Sequence, residues 1–187
     1  VLLDDENDWS RALTEIEGIQ TNYIVPLITM DMIPDGDGSL NPTEQQYINT
    51  VALGNQFKSH ALKMSSILQR RPRTVWLSNL RGRTVEGMQF DAQNLKCDRV
   101  IYVGPTECTK VFRNSETLAD ETYRLDGCFI AAAVVGKRLG LPDVATALTR
   151  QTIGGFRSIG QRRYLEIEKD ILGGSGVMLV EDSGGVF

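Results

Sequence analysis

Apolar and polar positions alternate along this chain in two rhythms, and the switches between them mark out its elements. Trp9, Ala12, Leu13 and Ile16 recur at helical spacing between the acidic run ending at Asp8 and the closing Gly18, which predicts a short helix. The next segment, 23–30, is nearly all apolar and β-branched and reads as a buried strand, with Pro26 placing it at an edge or bulge. After a Gly/Asp/Pro loop over 34–42, Thr43 caps a long helix to about Leu68. Its apolar face is Tyr47, Val51, Leu53 or Gly54, Phe57, Ala61, Met64 and Leu68. A strand at 74–78, a helix over 84–95 weakened by Gly87, and a strand at 99–103 ended by Gly104-Pro105 follow.

Strand, helix, strand, helix, strand at this spacing implies parallel strands joined by crossover helices. The expected fold is therefore α/β, with a mixed, largely parallel sheet. The later part departs from that rhythm. An Ala-rich helix is expected over 121–139, a short helical stretch opens at Leu141-Pro142-Asp143-Val144, and a turn-rich tail runs from Gly154 to a strand at 176–181. We expect an α/β body over 1–172 and the start of a following β-rich unit over 173–187. The opening Val1-Leu2-Leu3 and the turn 182–185 that no strand follows suggest a piece of a longer chain.

With 41% hydrophobic and 24% charged residues in 187, the chain can bury a sizeable core. The run 129–135 is far shorter than the roughly 18 apolar residues of a membrane span, so no membrane insertion is expected. A net charge of −4 disfavours nucleic acid as a partner. Basic patches at 69–73, at Arg81 and Arg83, and at Arg162-Arg163 read as solvated or subunit-contacting surface. With the acidic run 4–8 they suit contacts between identical subunits. Cys97, Cys108 and Cys128 match no zinc or redox spacing and read as reduced, mostly buried thiols.

Candidate chemistry is sparse. Asp35 to Glu44 matches later positions of an EF-hand loop, but Ile33 stands where the first oxygen ligand is required, and Pro26 lies in what would be the entry helix. An acidic turn favoured by the helix dipole explains the same residues. The Gly-rich runs 154–160 and 173–176 lack the Lys-Ser/Thr of a phosphate loop and read as turns. His60, with Ser59 beside it and Lys63 one turn on, has no evident triad partners and reads as a surface or satisfied core residue. Glu166 with Glu168, and Asp4 with Asp5, read as solvated charge. Trp76 is expected in the core, and Trp9 in either core or interface. No catalytic, cofactor-binding or metal-ligating residue is expected.

The segment 99–105, followed by Tyr123-Arg124-Leu125-Asp126-Gly127-Cys128-Phe129-Ile130-Ala131-Ala132-Ala133-Val134-Val135-Gly136, resembles contractile tail sheath proteins of phage-type machines. In that family a strand ending in Pro, a polar loop and a small-residue helix occur in this order. Leu139 to Asp143, Leu148 to Gly154, and Tyr164 to Glu181 also resemble the family, although a Trp-Gly-x-Arg-Thr segment is lacking. The resemblance implies a structural, non-enzymatic subunit of a virion tail that needs no cofactor. Its partners would be identical sheath subunits and an inner tail tube protein, assembled helically and contracting to drive the tube through a cell envelope. The alternative is an α/β enzyme with its site at strand carboxyl ends such as Ser78-Asn79 and Gly104-Pro105-Thr106.

Overall fold

The computed structural model describes residues 6–32, 41–116, 118–143, 146–149, 151–160 and 163–181. In chain order the elements are α1 (Glu6–Glu15), β1 (Tyr23–Ile24), α2 (Glu44–Met64), β2 (Thr74–Leu77), α3 (Val85–Leu95) and β3 (Val100–Gly104). They continue with β4 (Glu107–Arg113), β5 (Asp120–Asp126), α4 (Gly127–Leu139), β6 (Ser158–Ile159), α5 (Glu166–Gly174) and β7 (Val177–Leu179). The fold is α/β. A four-stranded parallel sheet in the order β1-β2-β3-β7 stands beside a three-stranded antiparallel sheet, β5-β4-β6.

Strand alternation sorts the core into two faces. Val75, Leu77 and Tyr102 point to one side, where α1, α2, α3 and α5 supply Leu13, Phe57, Met88 and Leu172. Trp76 and Val103 point to the other, where they meet Ile130, Ala131 and Val134 of α4 with Cys108 and Ile159 of the small sheet. The expected place of Trp76 in the core holds, at 3% exposure. Trp9 is also core: its ring meets Phe57 edge-on at 5.7 Å.

Several boundaries differ from the sequence expectation, each for a local reason. The first strand spans only Tyr23–Ile24, at the sheet edge, because Pro26 has no N–H to continue the ladder. Helix α2 stops at Met64. The Ser65 amide returns to Ala61 O, Arg70 takes a positive φ of 53°, and the Arg71 amide closes on Met64 O, which leaves Leu68 outside and exposed. Its start agrees with expectation: the Thr43 hydroxyl accepts from the Gln46 amide, and the Gln46 side chain accepts from the Thr43 amide.

The larger correction lies in 107–126. The expected polar loop and the first turn of the expected helix are an antiparallel hairpin, with Cys108 opposite Leu125 and Phe112 opposite Glu121. Helix α4 begins at Gly127, after Asp126 in extended conformation. The supposed turn-rich tail holds β6 and α5 as well. The Leu165 amide donates to the Glu168 carboxylate at 2.7 Å, half of a capping box at the start of α5, since the Leu165 side chain can accept nothing in return. Val144 falls outside the described residues, and Leu141 to Asp143 are not helical. β7, within the stretch expected to open a following unit, pairs with β3 through Tyr102–Val177 and Gly104–Leu179 and extends the main sheet.

Candidate functional site: the carboxyl ends of the strands

Parallel α/β sheets present their ligand sites where strand carboxyl ends meet helix amino ends, above all where the strand order reverses. Here the order never reverses. Each crossover advances the sheet in one direction, so α2, α3 and α5 share one face, and α4 takes the other, against β2, β3 and β4. The crevice between the ends of β2 and β3 is filled by the start of α4. The Gly127 amide donates to Asn79 O at 3.2 Å. A Cβ at Gly127 would lie 2.8 Å from Thr106 Cα and 2.9 Å from Asn79 O, besides meeting the Ser78 side chain.

Asp126 closes the same junction from below. Its carboxylate, 4% exposed at the residue level, accepts from the Met30 amide at 3.1 Å and from the Arg81 amide at 2.9 Å, tying two loops to the head of α4. Of the residues placed in the enzyme alternative, Ser78 and Asn79 are occupied, while Pro105 and Thr106 line the cleft beside them. Ser78 Oγ donates to Val103 O at 2.8 Å, and Asn79 Nδ2 donates to Asp91 at 2.6 Å.

Asp91 organises a buried polar cluster beneath these ends. It is fully buried, and it accepts from Arg83 Nε and Nη2, from Asn79 and from the Tyr102 hydroxyl. Burial works against the Arg83 charge, but bonds from Asp91 and Glu44 outweigh it and hold the guanidinium above its ordinary range. Burial, reinforced by the Asp91 charge, keeps the Tyr102 hydroxyl protonated far above its usual range. Gly87 makes the arrangement possible, since a side chain there would collide with Arg83. Arg81 is half-buried and donates from Nη1 to Arg124 O at 3.1 Å, whereas Arg83, its side chain 7% exposed, is an internal clamp, a correction to its reading as surface charge. Arg73 is another: it is fully buried.

An open cleft of about 310 Å³ does remain beside this plug, lined by Arg83, Thr84, Glu86, Thr106, Glu107 and Tyr164 among others. Two of its charged groups are engaged from outside the cleft: Glu107 receives both Nε and Nη2 of Arg124 at 2.8 and 2.9 Å, and Arg83 is held by Asp91 and Glu44. The two buried cysteines are poor nucleophiles. Burial, with Asp126 nearby, pushes both the Cys108 and Cys128 thiols up to about 12.

The remaining candidates scatter. His60 is buried against Arg73, and Ser59 donates to Asn55 O instead of to the ring. Residues 35–40 of the acidic loop lie outside the described residues. Glu44, its last position, gives both carboxylate oxygens to Arg83 at 2.8 Å. Among the described residues no group of three or more His, Cys, Asp and Glu is arranged to hold a metal, and no helix is long and apolar enough to cross a membrane. Gly176, at φ 85°, makes the turn from α5 into β7. No protein-family model matches the chain, and no curated protein matches it.

Proposed function

We propose that the chain is the folded body of a contractile tail sheath subunit, one that works by contacting copies of itself and an inner tail tube. The observation that carries this reading is the likeness of 99–105, 123–136 and 164–181 to sheath sequences. The geometry supports it in two ways. The place where an α/β enzyme would hold its substrate is filled by the chain's own Gly127 and Asp126. Large apolar side chains stand uncovered in several places, among them Ile67 and Leu68 after α2, Phe112 and Tyr123 on the hairpin, and Leu165 and Ile167 at α5. Uncovered apolar groups on several elements suit a subunit that touches neighbours through more than one surface. Heterologous contacts of that kind, when they do not close, build open helical assemblies.

Electron microscopy of the full-length gene product purified alone, beside the 187-residue chain, tests the proposal. Hollow tubes from the full-length gene product are expected. A monomer or a closed small oligomer would overturn the reading and return attention to the 310 Å³ cleft as an enzyme site.

A further inference from the structure

The chain has one histidine, and the fold buries it against an arginine. His60 lies on α2 at 6% exposure, and its Nε2 stands 2.6 Å from Nη1 of the fully buried Arg73. A guanidinium can only donate, so the ring must accept at Nε2 and carry its proton on Nδ1. The other arm of Arg73 grips the turn that follows α1: Nη2 donates to Ile16 O at 2.9 Å, Glu17 O at 3.2 Å and Ile19 O at 2.7 Å. One buried side chain thus links the imidazole to three carbonyls of the segment joining α1 to β1.

We propose that His60, Arg73 and the carbonyls of residues 16–19 form an acid-released latch, in which protonation of the ring removes the acceptor for Arg73 and loosens the 16–19 turn from the body. Once Nε2 carries a proton it cannot accept, and its positive charge then sits against the guanidinium in a buried place. The charges facing the ring are Arg73 from the strand side, Lys63 from its own helix and Glu17 from the turn. Arg71 stands next to them, donating to Glu17 O at 2.7 Å. Burial, then Arg73, holds the imidazole below its ordinary value; Glu17 opposes this. The hydrogen bond from Lys63 holds the Glu17 carboxyl below its own ordinary value, so Glu17 stays ionised while the ring titrates.

The sign follows directly. The native ring binds a proton less readily than the unfolded ring, whose value is about 6.5. The latch is closed above that pH and is lost as pH falls from there through the lower native value. One proton is involved, so the opened population rises by at most about tenfold per pH unit.

Hydrogen exchange of the amides of 16–19 at pH 7.5 and 5.5, corrected for the intrinsic chemical rate, measures the latch in the wild type, His60→Gln and His60→Leu. Glutamine restores a neutral acceptor without a titration, and leucine removes the acceptor at every pH. Acid-accelerated exchange confined to 16–19 in the wild type, tracking the single histidine ring resonance and absent from both variants, is the expected result. No acceleration in the wild type, acceleration that persists in either variant, or an equal acceleration across β2 and β3 would overturn the proposal.

Discussion

Replacing Gly127 by alanine tests how tightly the head of α4 plugs the strand ends. The added methyl would sit 2.8 Å from Thr106 Cα and 2.9 Å from Asn79 O, both backbone atoms at the ends of the central strands, so neither can swing aside as a side-chain tip would. Overpacking of this kind costs about 1–3 kcal/mol, and rigid neighbours push it toward the upper figure. Alanine's helix preference returns less than about 1 kcal/mol. The net loss is then about 2 kcal/mol, a fall in Tm of roughly 4–8 °C for a chain of this size. Gly136, exposed on the same helix, is the internal control: nothing lies within 4 Å of its Cβ position. Gly136→Ala should gain about 0.5–1 kcal/mol. Urea denaturation of both variants and the wild type decides the matter. A Gly127→Ala protein as stable as the wild type, or one that shifts in the same direction as Gly136→Ala, would refute the claim that this crevice is filled.

Three further outcomes follow from how individual side chains are held. Asp91→Ala should lose about 3 kcal/mol in chemical denaturation, because Arg83 is left in the interior with only Glu44 as its ionic partner. Thiol titration with an aromatic disulfide at pH 8 should find one readily reacting cysteine, the half-buried Cys97, in the native protein and three after denaturation. Cys108 and Cys128, pushed up to about 12, hold almost no thiolate at that pH. Calcium at millimolar concentration should leave the melting temperature unchanged, since the Glu44 carboxylate is engaged by Arg83; a rise abolished by Glu44→Gln would overturn this.

The parallel half of the fold was legible because its signals are local. β-Branched runs at 74–78 and 99–103, a Thr43 cap with Gln46 three residues on, and crossover spacing define strand, helix and order without tertiary information. The hairpin was not, since β5 presents polar or partly exposed residues along most of its length and never shows the apolar alternation of a half-buried strand. Arg73, Arg83 and Asp91 were misread or passed over for a related reason. A charged residue signals solvent unless its partner is known, and the partners here come from other elements. Gly127 carried a signal that could have been used: a glycine at the head of a small-residue helix lets other backbone approach closely, although the Asp126 carboxylate before it serves the Met30 and Arg81 amides and does not cap α4. Helix α5 was hidden by the glycines around it, although Glu166, Glu168 and Lys169 are ordinary first-turn residues.

The one-directional strand order also carries a consequence for how the chain is made. β1, β2 and β3, with α2 and α3, can assemble as soon as residue 104 has left the ribosome, each strand joining its predecessor. β7 cannot join until the whole of 105–176 has followed, and it takes the place next to β3. Through that interval β3 offers Tyr102, Val103 and Gly104 as a bare strand edge, the kind of surface on which nascent chains pair with one another. β7 covers the β3 edge and becomes the outer strand in its place, so slowing its arrival leaves β3 open for longer and should raise aggregation before it lowers stability.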